Sequence, residues 1–121
     1  MTWRYSITKG ELTNGAVVFH GYSGNFGEAC NNPDYCRVAC VGPIPPGTWK
    51  IGEPFTSVRM GPCVLPLSPE PGTETFKRSG FFIHGDSIEN PGHASDGCII
   101  LSHAAREALA QSADKSLEVV L

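Results

Sequence analysis

Glycine and proline break this chain too often for long helices: fourteen Gly and ten Pro stand among 121 residues. With only 17% of residues charged, that punctuation points to a turn-rich, mainly β globule rather than a helical bundle. The length suits one domain, residues 1–121, with a single core. Residues 3–8 alternate aromatic and polar side chains, residues 10–13 form a short second strand, and residues 16–22 are a β-branched and aromatic third. Asn14-Gly15 supplies the positive φ of a tight hairpin turn, so residues 2–22 read as a β-meander. Residues 22–46 have the punctuation of a long loop, with a helical turn over 34–39. A Pro-Pro-Gly turn leads into a strand at 48–51. Residues 63–67 are another strand, and a polar loop covers 68–78. Ser102 is a good N-cap, and residues 103–111 carry Ala, Leu and Arg at helical spacing, which sets one helix there. Residues 117–121 close the chain as an edge or mixed strand. Short strands, long loops and one helix after the Cys98 strand predict a small β-sandwich or barrel-like fold.

The chemistry concentrates in one stretch. An apolar run, Phe81-Phe82-Ile83, ends at His84-Gly85-Asp86, and a polar loop follows over residues 87–96. Gly97-Cys98 then opens a second apolar run, Ile99-Ile100-Leu101. Two short buried strands would deliver an imidazole and a thiol to a common edge, the layout that cysteine–histidine nucleophilic catalysis needs. Pairing with His84 as general base is expected to make Cys98 reactive below the roughly 8.5 of an isolated thiol. His93, five residues before Cys98, is the rival base. His20 and His103 read as a strand histidine and a first-turn helix residue. A tetrahedral oxyanion needs convergent N–H donors, for which the amides of Gly97 and Cys98 are the natural choice. Ser95 is expected to hydrogen-bond within that loop. Asp86 and Asp96 are candidate orienters of the imidazole, and Tyr22 and Gly85 candidate cleft walls. Each also has a plainer reading: Cys98 as a packed strand thiol, His84 as a capped strand end, Asp86 as a turn cap, Asp96 as a solvated loop residue, Tyr22 as a packed ring.

His84-Gly85, a loop of about a dozen residues, and Ser95-x-Gly97-Cys98-Ile99 together resemble the L,D-transpeptidase (YkuD-like) signature. The pattern IHGD…ASDGCIILS, with Gly21-Tyr22-Ser23-Gly24 and the stretch from Gly42 to Thr48, resembles more closely the small branch used as type VI secretion antibacterial effectors. Asp96 stands where the larger family has a His, and Ile100 where it often has an Arg. The resemblance implies a YkuD-type catalytic domain acting on peptidoglycan. Cys98 would attack the carbonyl after the third, diamino-acid residue of a tetrapeptide stem and expel the terminal D-alanine. The acyl group would pass to water (L,D-carboxypeptidase) or to an amine (transpeptidation or D-amino acid exchange). It also implies a backbone carbonyl as the imidazole's orienter, a cognate immunity protein and a secretion machinery as partners, and no metal or organic cofactor. Two other classes compete. A non-catalytic wall-binding module would keep the fold without Cys98 or His84. A papain-like amidase would open a long helix with its cysteine, before the histidine.

A net charge of −3 gives no electrostatic reason to expect a nucleic-acid partner, and no apolar run approaches the roughly 20 residues of a membrane span. The first fifteen residues have no apolar signal core, which predicts synthesis without a signal peptide. The cysteines suggest otherwise about the place of action. Cys30, Cys36, Cys40 and Cys63 lie in a Gly-, Pro- and Asn-rich region and are expected to form at least one disulfide, which needs an oxidising compartment. Reduced, packed thiols are the alternative; a zinc site matches no common spacing here. Delivery by a secretion machine into the periplasm of a target bacterium would reconcile the two clues.

Overall fold

The computed structural model describes residues 2–15 and 17–121; Ala16, which heads the third apolar run, lies outside them. Nine strands and one α-helix follow each other among the described residues: β1 (Trp3–Ser6), β2 (Glu11–Asn14), β3 (Val17–Ser23), β4 (Gly47–Ile51), β5 (Phe55–Ser57), β6 (Gly61–Pro69), β7 (Phe81–His84), β8 (Ile99–Leu101), α1 (His103–Gln111) and β9 (Ser116–Val120). The sheet order is β4-β9-β1-β2-β3-β8-β7-β6, and a further β4–β6 pairing closes these eight strands into a barrel. Closure removes the exposed strand edges that a sheet this small would otherwise present. β5 stays outside the ring as a hairpin partner of β6. The domain is thus mainly β, a small barrel with one helix.

β9 lies between β4 and β1, antiparallel to one and parallel to the other, so it is a mixed strand and not an edge. The helical turn expected over 34–39 is a short 3₁₀ turn, Pro33–Tyr35, capped by the Asn32 side chain. α1 begins where its cap predicts, with Ser102 Oγ accepting from the Ala105 amide at 3.2 Å. No helix among the described residues is long and apolar enough to cross a membrane.

Alternate residues of the strands fill the barrel: Tyr5, Leu12, Trp49, Ile51, Leu65, Ile83, Ile99 and Leu117 are buried together, with Ala105 and Leu109 of α1. Trp49 meets Phe81 edge-on at 5.0 Å and donates its Nε1–H to Pro45 O at 3.1 Å.

The disulfide expectation is overturned, for all five cysteines are free thiols. Cys36 is packed in the core with its thiol toward Ile44 O at 3.7 Å, the small-hydrophobe role. Cys40 is exposed, and Cys63 sits on β6. The loop that carries the first three is closed by hydrogen bonds instead: the Asn25 amide to Val41 O at 2.7 Å and the Asn31 amide to Ser23 O at 2.8 Å.

Candidate active site

β7 and β8 run parallel, with Ile83 opposite Ile99 and His84 opposite Ile100. Parallel neighbours need a crossover of a dozen or more residues, and residues 85–98 are that crossover. Ile83 and Ile99 belong to the barrel core, so strand alternation turns Phe82, His84, Cys98 and Ile100 to the opposite face. Cys98 lies just before β8, level with Phe82 and two residues below His84. Two strand rises and one strand spacing put the Cα atoms of Cys98 and His84 roughly 8 Å apart on a diagonal. The two residues therefore share a face of the sheet rather than an edge. Both line a cleft of about 850 Å³, walled by the β5–β6 hairpin on one side and the crossover loop on the other.

His84 is only 7% exposed, and its Nδ1 lies 2.9 Å from Gly85 O. A carbonyl can only accept, so Nδ1 carries the proton and Nε2 keeps its lone pair. Burial lowers the pKa of the imidazole, and the charges of Arg106 and Arg59 push the same way, against the Gly85 carbonyl and Asp86. His84 is neutral at pH 7, the form a general base requires.

Burial also governs Cys98 and raises its pKa, with Asp96 adding to the rise. The Phe82 amide, Arg59 and Arg78 act in the opposite direction without cancelling it. The thiol is directed to Gly80 O at 4.0 Å, and among the described residues no hydrogen bond joins it to the imidazole. The pair therefore rests as thiol and neutral imidazole, not as thiolate and imidazolium. This corrects the expectation of a thiol reactive below its ordinary range. Iodoacetamide alkylation of Cys98 is expected to rise with pH through a midpoint above the roughly 8.5 of a free thiol. A midpoint clearly below that value would mean a preformed ion pair.

A profile of the Tlde1 domain matches residues 17–121, which include both His84 and Cys98. The chain belongs to the Tlde1 domain family. That family is one of type VI secretion L,D-transpeptidase effectors. No curated protein matches the chain.

In this Tlde1 domain the crossover loop is held by Ser95, as expected, and also by Asp86 and Asp96, the two candidate orienters of the imidazole. Ser95 is buried; its Oγ accepts from the amides of Gly24 at 2.9 Å and Gly97 at 3.1 Å and donates to Cys98 O at 2.7 Å. The Gly97 amide is thus already used, which removes it as an oxyanion donor and leaves the Cys98 amide of the expected pair. Asp86 does not orient the imidazole. Its Oδ1 accepts from Tyr22 OH at 2.6 Å, the Ser87 amide at 2.8 Å and the Gly92 amide at 3.1 Å, pinning the loop to β3. Asp96 does not orient it either, since its carboxylate accepts from Asn25 Nδ2 at 3.2 Å. The imidazole's partner is the Gly85 carbonyl, as the resemblance implies. Tyr22 lines not the main cleft but a shallower groove behind it, with His20 and His103. Its pKa is raised by burial and by the Asp86 bond. His93 stacks on Phe26 at 4.0 Å and 16°, outside the lining of the main cleft. His20 faces Glu11 at 3.8 Å and His103 faces Glu107 at 2.8 Å.

Two buried arginines escaped the sequence reading. Arg78 donates from Nη1 to Cys36 O at 2.6 Å and Pro43 O at 2.8 Å, and from Nη2 to Gly42 O at 2.9 Å and Asp96 O at 3.4 Å. Arg106 donates to the carbonyls of Leu101 at 3.2 Å, Ser102 at 3.3 Å and Pro62 at 2.7 Å. These guanidiniums explain two glycines. A Cβ on Gly85 would lie 2.8 Å from Arg106 Nη2, and one on Gly97, at φ +137°, would collide with Arg78 Nη2. One signal was available: Arg106 lies on the buried stripe of α1 with Ala105 and Leu109. Arg78 had none, because its partners are carbonyls.

Proposed function

We propose that this Tlde1 domain is a cysteine-dependent acyl transferase of peptidoglycan stem peptides, within the YkuD-like L,D-transpeptidase superfamily. The observation that carries the reading is the shared outward face of β7 and β8, which brings a thiol and a buried neutral imidazole into one cleft. Cys98 Sγ attacks the carbonyl after the third residue of a tetrapeptide stem while His84 Nε2 takes the thiol proton. A C–S bond forms, the C–N bond to D-alanine breaks, and His84 returns the proton to the leaving amine. Water or an amine then attacks the thioester; His84 takes the proton of the attacking group and gives it to the departing sulfur. Acceptance of water makes the domain an L,D-carboxypeptidase, and acceptance of a D-amino acid makes it an exchange enzyme. The Cys98 amide is the expected oxyanion donor.

The same reading makes it an antibacterial effector, carried by a secretion machinery into a target's periplasm and countered by an immunity protein. Mass analysis of muropeptides after incubation should show tetrapeptide stems shortened by one alanine, or with the terminal D-alanine replaced. Toxicity should require an added signal peptide that sends the domain to the periplasm. Unchanged muropeptides, or equal toxicity from the cytoplasm, would refute the proposal.

A further inference from the structure

The wall of the cleft opposite the crossover loop is the turn between β5 and β6, and it carries Arg59. That turn is braced from inside: Ser57 Oγ accepts from the amides of Arg59 at 3.2 Å and Met60 at 3.0 Å. Its tip is otherwise open to solvent, with Val58 fully exposed. Among the described residues, no carboxylate or carbonyl takes the Arg59 guanidinium. The other cleft cations differ. Arg78 is buried and spent on four carbonyls, and Lys77 is an exposed residue at the rim. The acids of the far wall do not compensate Arg59, because Asp86 is satisfied by Tyr22, Ser87 and Gly92 and Asp96 faces Asn25. Glu89 is exposed on the far loop. Cys98 and His84 line the same cleft as this guanidinium.

We propose that Arg59 receives the free terminal carboxylate of the residue that Cys98 acylation expels, and so selects peptides that end one residue beyond the scissile carbonyl. The inference rests on the acyl-transfer reading for the identity of that peptide. A terminal carboxylate lies one residue past the attacked carbonyl, roughly 3.8 Å along the chain, so whatever receives it must line the same cleft as the thiol. A guanidinium binds a carboxylate through two parallel N–H···O bonds, which an amide or a continuing peptide cannot accept in the same way. The charge of Arg59 acts on both Cys98 and His84, and all three line one cleft; this favours Arg59 as the receiver. By microscopic reversibility the same site would hold the carboxylate of a free amino acid arriving as acceptor. Exchange would then be preferred over attack by an amine that brings no nearby carboxylate.

Binding can be measured without turnover. The Cys98→Ala protein is titrated calorimetrically with a synthetic tetrapeptide stem ending in D-alanine and with its C-terminal amide. The acid should bind about tenfold or more tightly than the amide. Adding Arg59→Ala should bring the acid to the level of the amide and leave the amide unchanged; Arg59→Lys should restore part of the difference. In the active protein, Arg59→Ala should raise KM with kcat within a few-fold, the pattern of lost uniform binding. Equal binding of acid and amide, no detectable binding of the acid, or a preference that survives Arg59→Ala would overturn the proposal. Loss of the preference in Lys77→Ala instead would move the site to Lys77 and overturn it likewise. Acid preference that depends on Arg59, in a protein whose active form releases no D-alanine, would uphold this role and sink the acyl-transfer reading.

Discussion

Replacing Cys98 by alanine is expected to abolish release of D-alanine from tetrapeptide stems and to leave the fold unchanged. Cys98 is half-buried at the cleft, and losing one sulfur there removes little apolar area, about 1 kcal/mol or less of transfer free energy. The chemical loss is total, because no thioester forms without the sulfur. Cys40 also lines the cleft, but it is exposed and, among the described residues, no hydrogen bond joins it to an imidazole. His84→Ala should cost about 10³-fold or more, and the double variant should be no worse than Cys98→Ala alone, since such groups act as a unit. His93→Ala should change little, its ring being stacked on Phe26 outside the cleft lining. The pH dependence follows from the lowered pKa of His84. The base works when neutral, so activity should persist below the ordinary histidine value of about 6.5 and fall only at more acid pH. Residual turnover by Cys98→Ala, or a loss in His93→Ala as large as in His84→Ala, would remove the dyad from the mechanism.

Local signals were readable where they are strong. The hairpin turn at Asn14-Gly15, the Ser102 cap and the apolar runs around His84 and Cys98 all mark elements found in the barrel. β5 was missed because three residues, Phe55–Ser57, are too short to show a period. How β7 and β8 pair was not readable either. Only their parallel register makes His84 and Cys98 diagonal neighbours on one face, and pairing partners are a property of the closed barrel. The cysteine density misled for a related reason: a thiol packed like Cys36 and a thiol awaiting a partner have the same letter. Asp86 follows His84-Gly85 directly and so invited the orienter role. A carboxylate that gathers loop amides leaves no mark in sequence, because every residue but proline offers the same N–H.

Arg78 is the residue whose loss should disturb this fold most. Its guanidinium ties the loop of residues 36–43 directly to the crossover loop at Asp96, while its Cζ lies 5.0 Å from the centre of the Phe81 ring. Arg78→Met keeps the stem over Phe81 but leaves the carbonyls of Cys36, Gly42 and Pro43 without their donor. At about 1 kcal/mol or more for each buried group left unpaired, the expected destabilisation is about 3 kcal/mol or more. For a domain of this size that is a large share of the whole, and it should lower Tm by about 10 °C. Arg78→Lys keeps the charge but not the fork, since one ammonium cannot span carbonyls on both loops, and should lose somewhat less. Arg37→Ala is the control: this arginine also lies over an aromatic ring, Phe76 at 5.2 Å, but it is exposed and should cost under about 0.5 kcal/mol. Denaturant unfolding of the three variants measures the differences. Hydrogen exchange separates a local from a global effect, because the amides of Asn25 and Gly42, bonded to Val41 O and Val38 O, should lose protection before those of β1 and β9. If Arg78→Met unfolds at the same midpoint as the parent protein, the loop is held by its backbone bonds alone. The glycine at position 97 would then be required by its positive φ and not by the guanidinium beneath it.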